Sequence, residues 1–318
     1  MKIVFFGTDN FAAHVLEALM QKHEVLAVVT VPDAPVGRKQ IIQKTAVAEL
    51  ADRVGISVFK PASLKKDESI EATLRGLGAD VFVVAIYSKI IPQNILNIPT
   101  KGSVNVHPSL LPLYRGPAPI RTPLLHGDTV TGVSIILMDE QVDHGPILGS
   151  KEVTIEPSDT NTTLTEKLAA VAAPLLVGAL DGYAAGTITP QEQDHEKATF
   201  TKLVSKEDGK VDWNKSAVEI YNAWRAYDVW PGIYTTWNGK LLKIVNCVVL
   251  SSSRMRGSMV GQAADTIEKP GIVLEGGIVT CGQDSYLQIT KLQLEGKQAM
   301  DIKAFLNGNK DFVGSTLK

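Results

Sequence analysis

Two polar side chains, Asn105 and His107, lie two residues apart in a segment, residues 102–107, that predicts a β-strand. Side chains with this spacing point to the same face of a sheet. Pro108 follows and ends the strand, because proline has no backbone donor for a neighbouring strand. We therefore expect the pair at the carboxyl end of a strand, where open α/β sheets bind their ligands. This placement favours a functional site over a histidine that only packs.

A second polar segment, residues 139–147, contains three carboxylates and His144. It follows a predicted strand at 132–138, so we expect it to open at the same edge of the sheet as His107. Alone, such a segment is typical of a solvated turn in which Asp143 bonds its own backbone. Together with Asn105 and His107, a carboxylate within reach of an imidazole predicts an acid/base unit.

The elements that position these residues alternate between strands and helices. Helical patterns lie near residues 11–22, with Asp9 or Asn10 as the cap, and near 44–54 and 65–77. The predicted strands are residues 2–6, 24–30, 56–59, 80–86, 102–107 and 132–138. This order predicts an α/β fold with a Rossmann-like, doubly wound and mostly parallel sheet.

The pattern changes after about residue 190. Residues 190–206 contain few apolar side chains and predict a linker. A helix near 216–227 is followed by short predicted strands at 232–236, 241–250, 271–275, 278–280 and 287–294. This succession predicts a smaller OB-like β-barrel. We therefore expect a catalytic domain at 1–189, a linker at 190–206 and a second domain at 207–318.

Composition excludes several classes of protein. The chain is 44% hydrophobic and 21% charged with a formal net charge of −2, which is ordinary for a soluble protein and does not indicate nucleic-acid binding. The two cysteines, Cys247 and Cys281, form no disulfide or metal motif, which favours a reducing cytoplasm. No apolar run is long enough to predict a membrane span. Gly7 alone does not make the G-x-G-x-x-G fingerprint, so a nicotinamide cofactor is disfavoured.

A longer motif surrounds the first polar pair. Residues 105–120, with the core Ser-Leu-Leu-Pro-x-x-Arg-Gly, resemble the signature of the folate-dependent formyltransferases, as does Asp143-x-Gly145. Further segments resemble the branch of this family that formylates initiator methionyl-tRNA: residues 6–12, 32–38, 202–213, 225–232 and 296–300. The last three lie outside the predicted catalytic domain. The resemblance implies transfer of the formyl group of 10-formyltetrahydrofolate to an amine.

The resemblance also implies roles for single residues. Asn105 and His107 would polarise the formyl oxygen, and Asp143 would hold His107 and help to move the proton, with no metal and no covalent intermediate. The implied folate-binding residues are Val84, Ile86, Tyr87, Ile90, Ser109, Leu110, Leu111, Pro112, Asp139, Gln141 and Val142. The proposed tRNA-binding residues are Arg38, Arg254, Arg256, Lys297 and Lys303. The chain departs from the family's usual pattern at Pro108 and His144.

Three alternatives stay open. The chain could formylate a sugar nucleotide or a purine precursor, although such an enzyme has no need of the late motifs. It could be a formyltetrahydrofolate hydrolase, which would need no tRNA surface. It could also be a non-catalytic RNA-binding module, which the complete set of Asn105, His107 and Asp143 disfavours. We expect a cytoplasmic monomer whose partners are initiator methionyl-tRNA and the folate donor.

Overall fold

The computed structural model describes residues 1–36, 41–65, 67–250 and 269–318. These residues form two compact units. The first comprises residues 1–119, 130–155 and 163–202, and the second comprises residues 120–129, 156–162 and 203–318. This division differs from the predicted boundaries, because two short segments of the predicted catalytic domain group with the second unit.

The first unit is built on a seven-stranded sheet. Its strands are β1 (Lys2–Gly7), β2 (Glu24–Val29), β5 (Ser57–Phe59), β6 (Val81–Ala85), β7 (Ser103–His107), β8 (Val130–Leu137) and β9 (Ile147–Thr154), in the order β5-β2-β1-β6-β7-β8-β9. A separate hairpin pairs β3 (Ala34–Val36) with β4 (Ile41–Gln43). The first five strands in this order, from β5 to β7, are parallel to one another. Strand β8 is antiparallel to β7, and β9 is antiparallel to β8. Every residue of β6 is buried, as expected for a strand covered on both faces.

The helices are α1 (Asn10–Met20), α2 (Ala46–Val54), α3 (Glu68–Gly76), α4 (Gln93–Leu96), α5 (Arg121–His126), α6 (Asn161–Ala184), α7 (Ala217–Ala226) and α8 (Ile302–Gly308). Four of the described helices, α1, α2, α3 and α7, begin at a residue whose side chain caps them. Asp9 caps α1 by accepting a hydrogen bond from the Ala12 backbone N–H at 3.0 Å. Val15, Leu16 and Leu19 lie on the buried face of this helix.

The sequence analysis missed strand β9 and helix α6. By length and composition α6 is apolar enough to cross a membrane, contrary to the expectation that no segment is. Eight of its side chains are nevertheless buried inside the protein, as in the core helix of a soluble protein. They are Leu164, Leu168, Ala169, Ala172, Ala173, Leu176, Ala179 and Leu180.

The second unit contains an antiparallel half-barrel. Its strands are β10 (Ile233–Trp237), β11 (Lys240–Leu250), β12 (Ile278–Cys281), β13 (Ser285–Leu294) and β14 (Met300–Asp301), in the order β10-β11-β13-β12 with β14 on β13. The core under this sheet contains a group of edge-to-face aromatic rings, Trp237, Phe305 and Phe312. The predicted strand at 271–275 is present only as isolated bridges. The predicted fold class, a Rossmann-like sheet with a smaller β-domain, is confirmed.

The first part of the predicted linker, residues 190–206, is paired with other segments of the chain. Gln191 pairs with Ile147, and Phe200 pairs with Arg115 in a parallel bridge. Backbone hydrogen bonds join this segment to Ile147 at the start of β9 and to Pro112 and Arg115 in the loop after β7. Most side chains of this segment are exposed, whereas Gln193 is buried.

Candidate active site

Strand β7 presents Asn105 and His107 on one face of the sheet. It lies between β6, where Val84 pairs with Asn105, and β8, where Ser134 pairs with His107. His107 is buried and Asn105 is half-buried. The two side chains are thus held by a central strand with hydrogen-bonded neighbours on both sides, as the sequence spacing predicted.

The loop carrying Asp143 arrives from the other end of the sheet, so the expectation of a shared edge is wrong. Strand β8 is antiparallel to β7, and its last residue, Leu137, pairs with Val104 near the start of β7. The backbone N–H of Leu137 donates to the Pro146 carbonyl at 2.9 Å and closes the loop. Residues 138–146 then fold back so that the Asp143 carboxylate reaches Asn105 and His107.

The Asp143 carboxylate is the centre of the cluster. Its Oδ1 accepts from Asn105 Nδ2 at 3.1 Å and lies 3.4 Å from His107 Nδ1. Its Oδ2 accepts from the backbone N–H of Gly116 at 2.8 Å. The carboxylate therefore joins an amide, an imidazole and a backbone donor at one point.

His107 is bracketed by two oxygen acceptors. Its Nε2 lies 3.0 Å from the Tyr114 carbonyl, which can only accept, so this nitrogen donates. Its Nδ1 faces Asp143. The ring is therefore held between the Tyr114 carbonyl and the Asp143 carboxylate.

Gly116 brings the backbone close to Asp143. Its φ is +104°, and a Cβ there would lie 3.0 Å from Thr201 Oγ1 and 3.2 Å from the Thr201 carbonyl. The Thr201 hydroxyl donates to the Arg115 carbonyl and accepts from the Ala118 N–H. Glycine is required here because any side chain would meet the paired segment around Thr201.

Gln193 and Arg115 lie behind the Asp143 loop, and both are buried. Gln193 Nε2 donates to the carbonyls of Asp143 and Gly145 at 2.9 and 2.7 Å. Gln193 Oε1 accepts from Arg115 Nε and Nη2 at 3.2 and 2.6 Å. The amide thus connects the guanidinium to the backbone that carries the carboxylate.

His144 extends the network outward. Its Nδ1 lies 2.6 Å from Asp139 Oδ2, and its ring stacks on His195 with centroids 4.0 Å apart. His195 Nδ1 accepts from Arg115 Nη2 at 2.9 Å. The histidine that departs from the family's usual pattern is therefore part of a connected group.

The predicted folate residues have different environments. Ser109 and Leu111 are buried; the Ser109 hydroxyl donates to the Leu113 carbonyl, and the Leu111 N–H donates to Ser134. Ile90 and Val142 are 72% and 67% exposed, unusual for large apolar side chains. Tyr87 has no hydrogen-bond partner for its hydroxyl among the described residues, and burial raises its pKa to about 12.

The remaining predicted folate residues lie close in sequence to these. Val84 is buried at the end of β6, and Ile86, with φ +42°, follows the strand. Leu110 lies where a Cβ on Gly132 would meet it, and Pro112 offers its carbonyl to the Thr199 N–H. Gln141 is exposed. The structure brings none of these side chains into the Asp143 cluster.

Of the predicted tRNA-binding residues, Lys297 and Lys303 are exposed on the second unit. Arg38, Arg254 and Arg256 lie outside the described residues. No group of three or more histidine, cysteine, aspartate or glutamate residues in the described part of the chain could hold a metal ion.

The sequence did not identify Gln193, Thr199 and Thr201 as residues near the site. It also did not identify Arg115 as the buried hydrogen-bond partner of Gln193. The Arg115 position was quoted within the motif, but nothing in the polar segment 190–206 indicated that it would return to the site. The pairing of Phe200 with Arg115 and the hydrogen bonds of Gln193 to Arg115 and the Asp143 loop show this.

Known families match both parts of the chain. The family described as "Formyl transferase" matches residues 1–180, and "Formyl transferase, C-terminal domain" matches residues 203–310. A protein named methionyl-tRNA formyltransferase from Roseiflexus sp. (strain RS-1) is 43% identical over 281 residues, covering 88% of this chain and 86% of that protein. Another of the same name, from Caldicellulosiruptor saccharolyticus, is 40% identical over 319 residues and covers 100% of both chains.

Solved structures share the fold at low sequence identity. WlaRD, a sugar 3N-formyl transferase crystallised in the presence of dTDP and 5-N-formyl-THF, has a TM-score of 0.64 at 18% identity, covering 94% of this chain and 99% of that chain. HypX from Aquifex aeolicus, in complex with tetrahydrofolic acid, has a TM-score of 0.63 at 16% identity, covering 98% of this chain and 48% of that chain.

These solved structures support the fold alone. The family matches span both parts of the chain, and the curated relatives align over almost all of it. Taken with the Asn105, His107 and Asp143 cluster inside the matched segment, they show that the chain belongs to the formyl transferase family, in its methionyl-tRNA formyltransferase branch.

Proposed function

We propose that the chain transfers the formyl group of 10-formyltetrahydrofolate to the amino group of methionine on initiator methionyl-tRNA, for translation initiation in the cytoplasm. The observation that carries this proposal is the identity of about 40% to methionyl-tRNA formyltransferases across both units. The presence of the second unit alone does not discriminate, since the sugar formyltransferase aligns over 94% of this chain as well. We propose that the chain acts as a monomer.

The proposed reaction is direct attack by the neutral amine on the formyl carbon. A carbon–nitrogen bond forms, negative charge develops on the formyl oxygen, and the bond to the folate nitrogen then breaks as the amine's proton passes to that nitrogen. Donors aimed at the developing charge lower the barrier, because they stabilise the transition state more than the substrate. No covalent enzyme intermediate is needed.

Asn105 and His107 are the groups proposed to polarise that oxygen. One hydrogen of Asn105 Nδ2 is directed to Asp143, and the amide has a second hydrogen for the formyl oxygen. The His107 ring is proposed to lie beside that oxygen, held between the Tyr114 carbonyl and the Asp143 carboxylate. Asp143 holds both groups and helps to move the amine's proton.

The donor's planar ring is proposed to lie beside the ends of β6 and β7. Ile90 and Val142 are exposed apolar side chains that a ring could cover, and Tyr87 is a further proposed contributor. Val84, Ile86, Ser109, Leu110, Leu111, Pro112, Asp139 and Gln141 are the other proposed contributors. For Ser109 and Leu111 we propose a supporting role, because the Ser109 hydroxyl donates to the Leu113 carbonyl and the Leu111 N–H donates to Ser134.

The proposed tRNA contacts are Arg38, Arg254, Arg256, Lys297 and Lys303. The exposure of Lys297 and Lys303 supports phosphate contact. Removal of one such contact should weaken binding and reduce the dependence of affinity on salt concentration.

An acceptor test separates the proposal from its alternatives. The chain is given 10-formyltetrahydrofolate with methionyl-tRNA, with a nucleotide-linked amino sugar, or with no acceptor, and donor consumption is followed. We expect consumption with methionyl-tRNA only. Equal consumption without an acceptor would instead identify a hydrolase, and preference for the sugar would identify a sugar formyltransferase.

A variant test addresses the cluster. Asp143→Asn should lower kcat by about 10²- to 10⁴-fold, the range for loss of a positioned acid/base group, with little change in the donor KM. Asp52→Asn, which removes a surface carboxylate paired with Lys44, is the matched control and should leave both constants unchanged. A normal kcat for Asp143→Asn would contradict the proposed role.

A further inference from the structure

The side-chain amide of Gln193 uses all of its hydrogen-bonding capacity. Its two N–H groups go to the carbonyls of Asp143 and Gly145, and its oxygen takes both bonds from Arg115. Only 5% of the Gln193 surface is exposed. A buried amide with four partners has a single orientation, because rotation of the amide by 180° would place donors against donors.

Arg115 determines the orientation of the Gln193 side-chain amide. The guanidinium only donates, so the Gln193 oxygen must face it and the nitrogen must face the Asp143 loop. Arg115 is itself held in the chain, since its N–H donates to the Thr199 carbonyl and its carbonyl accepts from the Thr201 N–H. It is 3% exposed. The guanidinium and the amide therefore form a rigid connection from the segment around 199–201 to the loop.

The loop needs such support because Asp143 has an unusual backbone conformation. Its φ is +52°, in the left-handed region. That region is unfavourable for most residues that carry a side chain. The Gln193 bonds to the carbonyls of Asp143 and Gly145 hold the backbone on both sides of His144 in the conformation that directs the carboxylate toward Asn105 and His107.

We propose that Gln193 and Arg115 are positioning residues for Asp143, acting in formyl transfer through the backbone of residues 143–145. This inference rests on the proposed function of Asp143. The alternative is that the pair only stabilises the fold. The two roles differ in whether the effect of Gln193 on turnover depends on the presence of the Asp143 carboxylate.

A double-mutant cycle distinguishes them. Gln193→Met keeps the length of the side chain but removes both donors and the acceptor. In the wild-type background it should lower kcat by about 10- to 100-fold, as expected when a reacting group is displaced by up to an ångström, with the donor KM changed less than about threefold. In the Asp143→Asn background the same substitution should lower kcat less than about twofold.

Urea unfolding and a substitution at the neighbouring residue Gln191 provide the controls. Urea unfolding should show the same loss for Gln193→Met in both backgrounds, since the hydrogen bonds lost are the same. Gln191→Met changes an exposed amide two residues away, whose only side-chain bond is to the Thr189 carbonyl, and should leave kcat unchanged. An equal loss of kcat in both backgrounds, or a normal kcat for Gln193→Met, would overturn the proposal.

Gln193→Glu keeps the test decisive if the methionine variant does not fold. Its carboxyl retains the pairing with Arg115 but can donate toward the loop only when protonated. Its kcat relative to wild type should therefore increase as the pH falls, and a constant ratio across pH would overturn the proposal. Failure of the proposed function would appear separately, as a normal kcat for Asp143→Asn with Gln193 intact.

Discussion

Gly145 closes the loop that carries Asp143, and a single methyl group at this position should disturb the site strongly. A Cβ on Gly145 would lie 1.9 Å from the Leu137 carbonyl oxygen and 3.0 Å from the Leu137 carbonyl carbon. Both atoms belong to the backbone of β8, so no side chain can rotate away. The Gly145 carbonyl also accepts a hydrogen bond from Gln193, which ties its position to that of Asp143.

The displacement can be derived from these distances. Real Cβ atoms do not approach other atoms closer than 3.0 Å, so the loop must move by the difference between 3.0 and 1.9 Å, about 1.1 Å. A misplacement of about 1 Å in a reacting group can cost about 10²-fold in rate. We therefore expect Gly145→Ala to lower kcat/KM for formyl transfer by about 10²-fold.

The assay compares initial rates of formyl transfer to methionyl-tRNA for Gly145→Ala and Gly149→Ala. Gly149 lies on β9, and a Cβ there would make an ordinary contact at 3.5 Å with Leu175 Cδ1. It should retain the wild-type rate. Urea unfolding of both variants separates misplacement from loss of the fold. A Gly145→Ala rate within threefold of wild type would refute the link between this loop and the reaction.

Three further outcomes are expected. Burial raises the pKa of both the Cys247 and Cys281 thiols, so a thiol reagent at pH 8 should modify them only after unfolding; rapid modification of the native chain would contradict this. Burial lowers the pKa of His23, so the unfolded chain binds its proton first and the free energy of unfolding should decrease as the pH falls through about 6.5. Urea midpoints at pH 7.5 and 5.5 test this, and His23→Leu should flatten the slope. His144→Thr should lower kcat less than about threefold, because His144 bonds Asp139 and not the carboxylate of Asp143; a loss comparable to that of Asp143→Asn would be inconsistent with this geometry.

The strands nearest the site were well predicted. Residues 102–107 were expected as a strand and β7 covers Ser103–His107, because apolar alternation and the following proline are local signals. The direction of β8 was not predicted. A connection of the length between β7 and β8 is compatible with a parallel crossover, and only pairing with β7 determines the direction.

The second missed feature is the segment 190–206. Its few apolar residues predicted a linker, but a strand-like pairing that depends on backbone hydrogen bonds leaves little signal in side-chain composition. Gln193 was overlooked for the same reason. One amide in a polar segment has no local feature that distinguishes it from a solvated one.

The sequence by itself determined that Asn105 and His107 share one face at the end of a strand, because the spacing of two residues and Pro108 are local properties of the chain. It also contained the motifs that resemble the formyl transferase family. Only the tertiary structure decided that Asp143 reaches this pair from the opposite end of the sheet and that Gln193 supports it. Both depend on contacts between residues 38 to 50 positions apart, whose geometry is set by packing and backbone pairing rather than by local sequence.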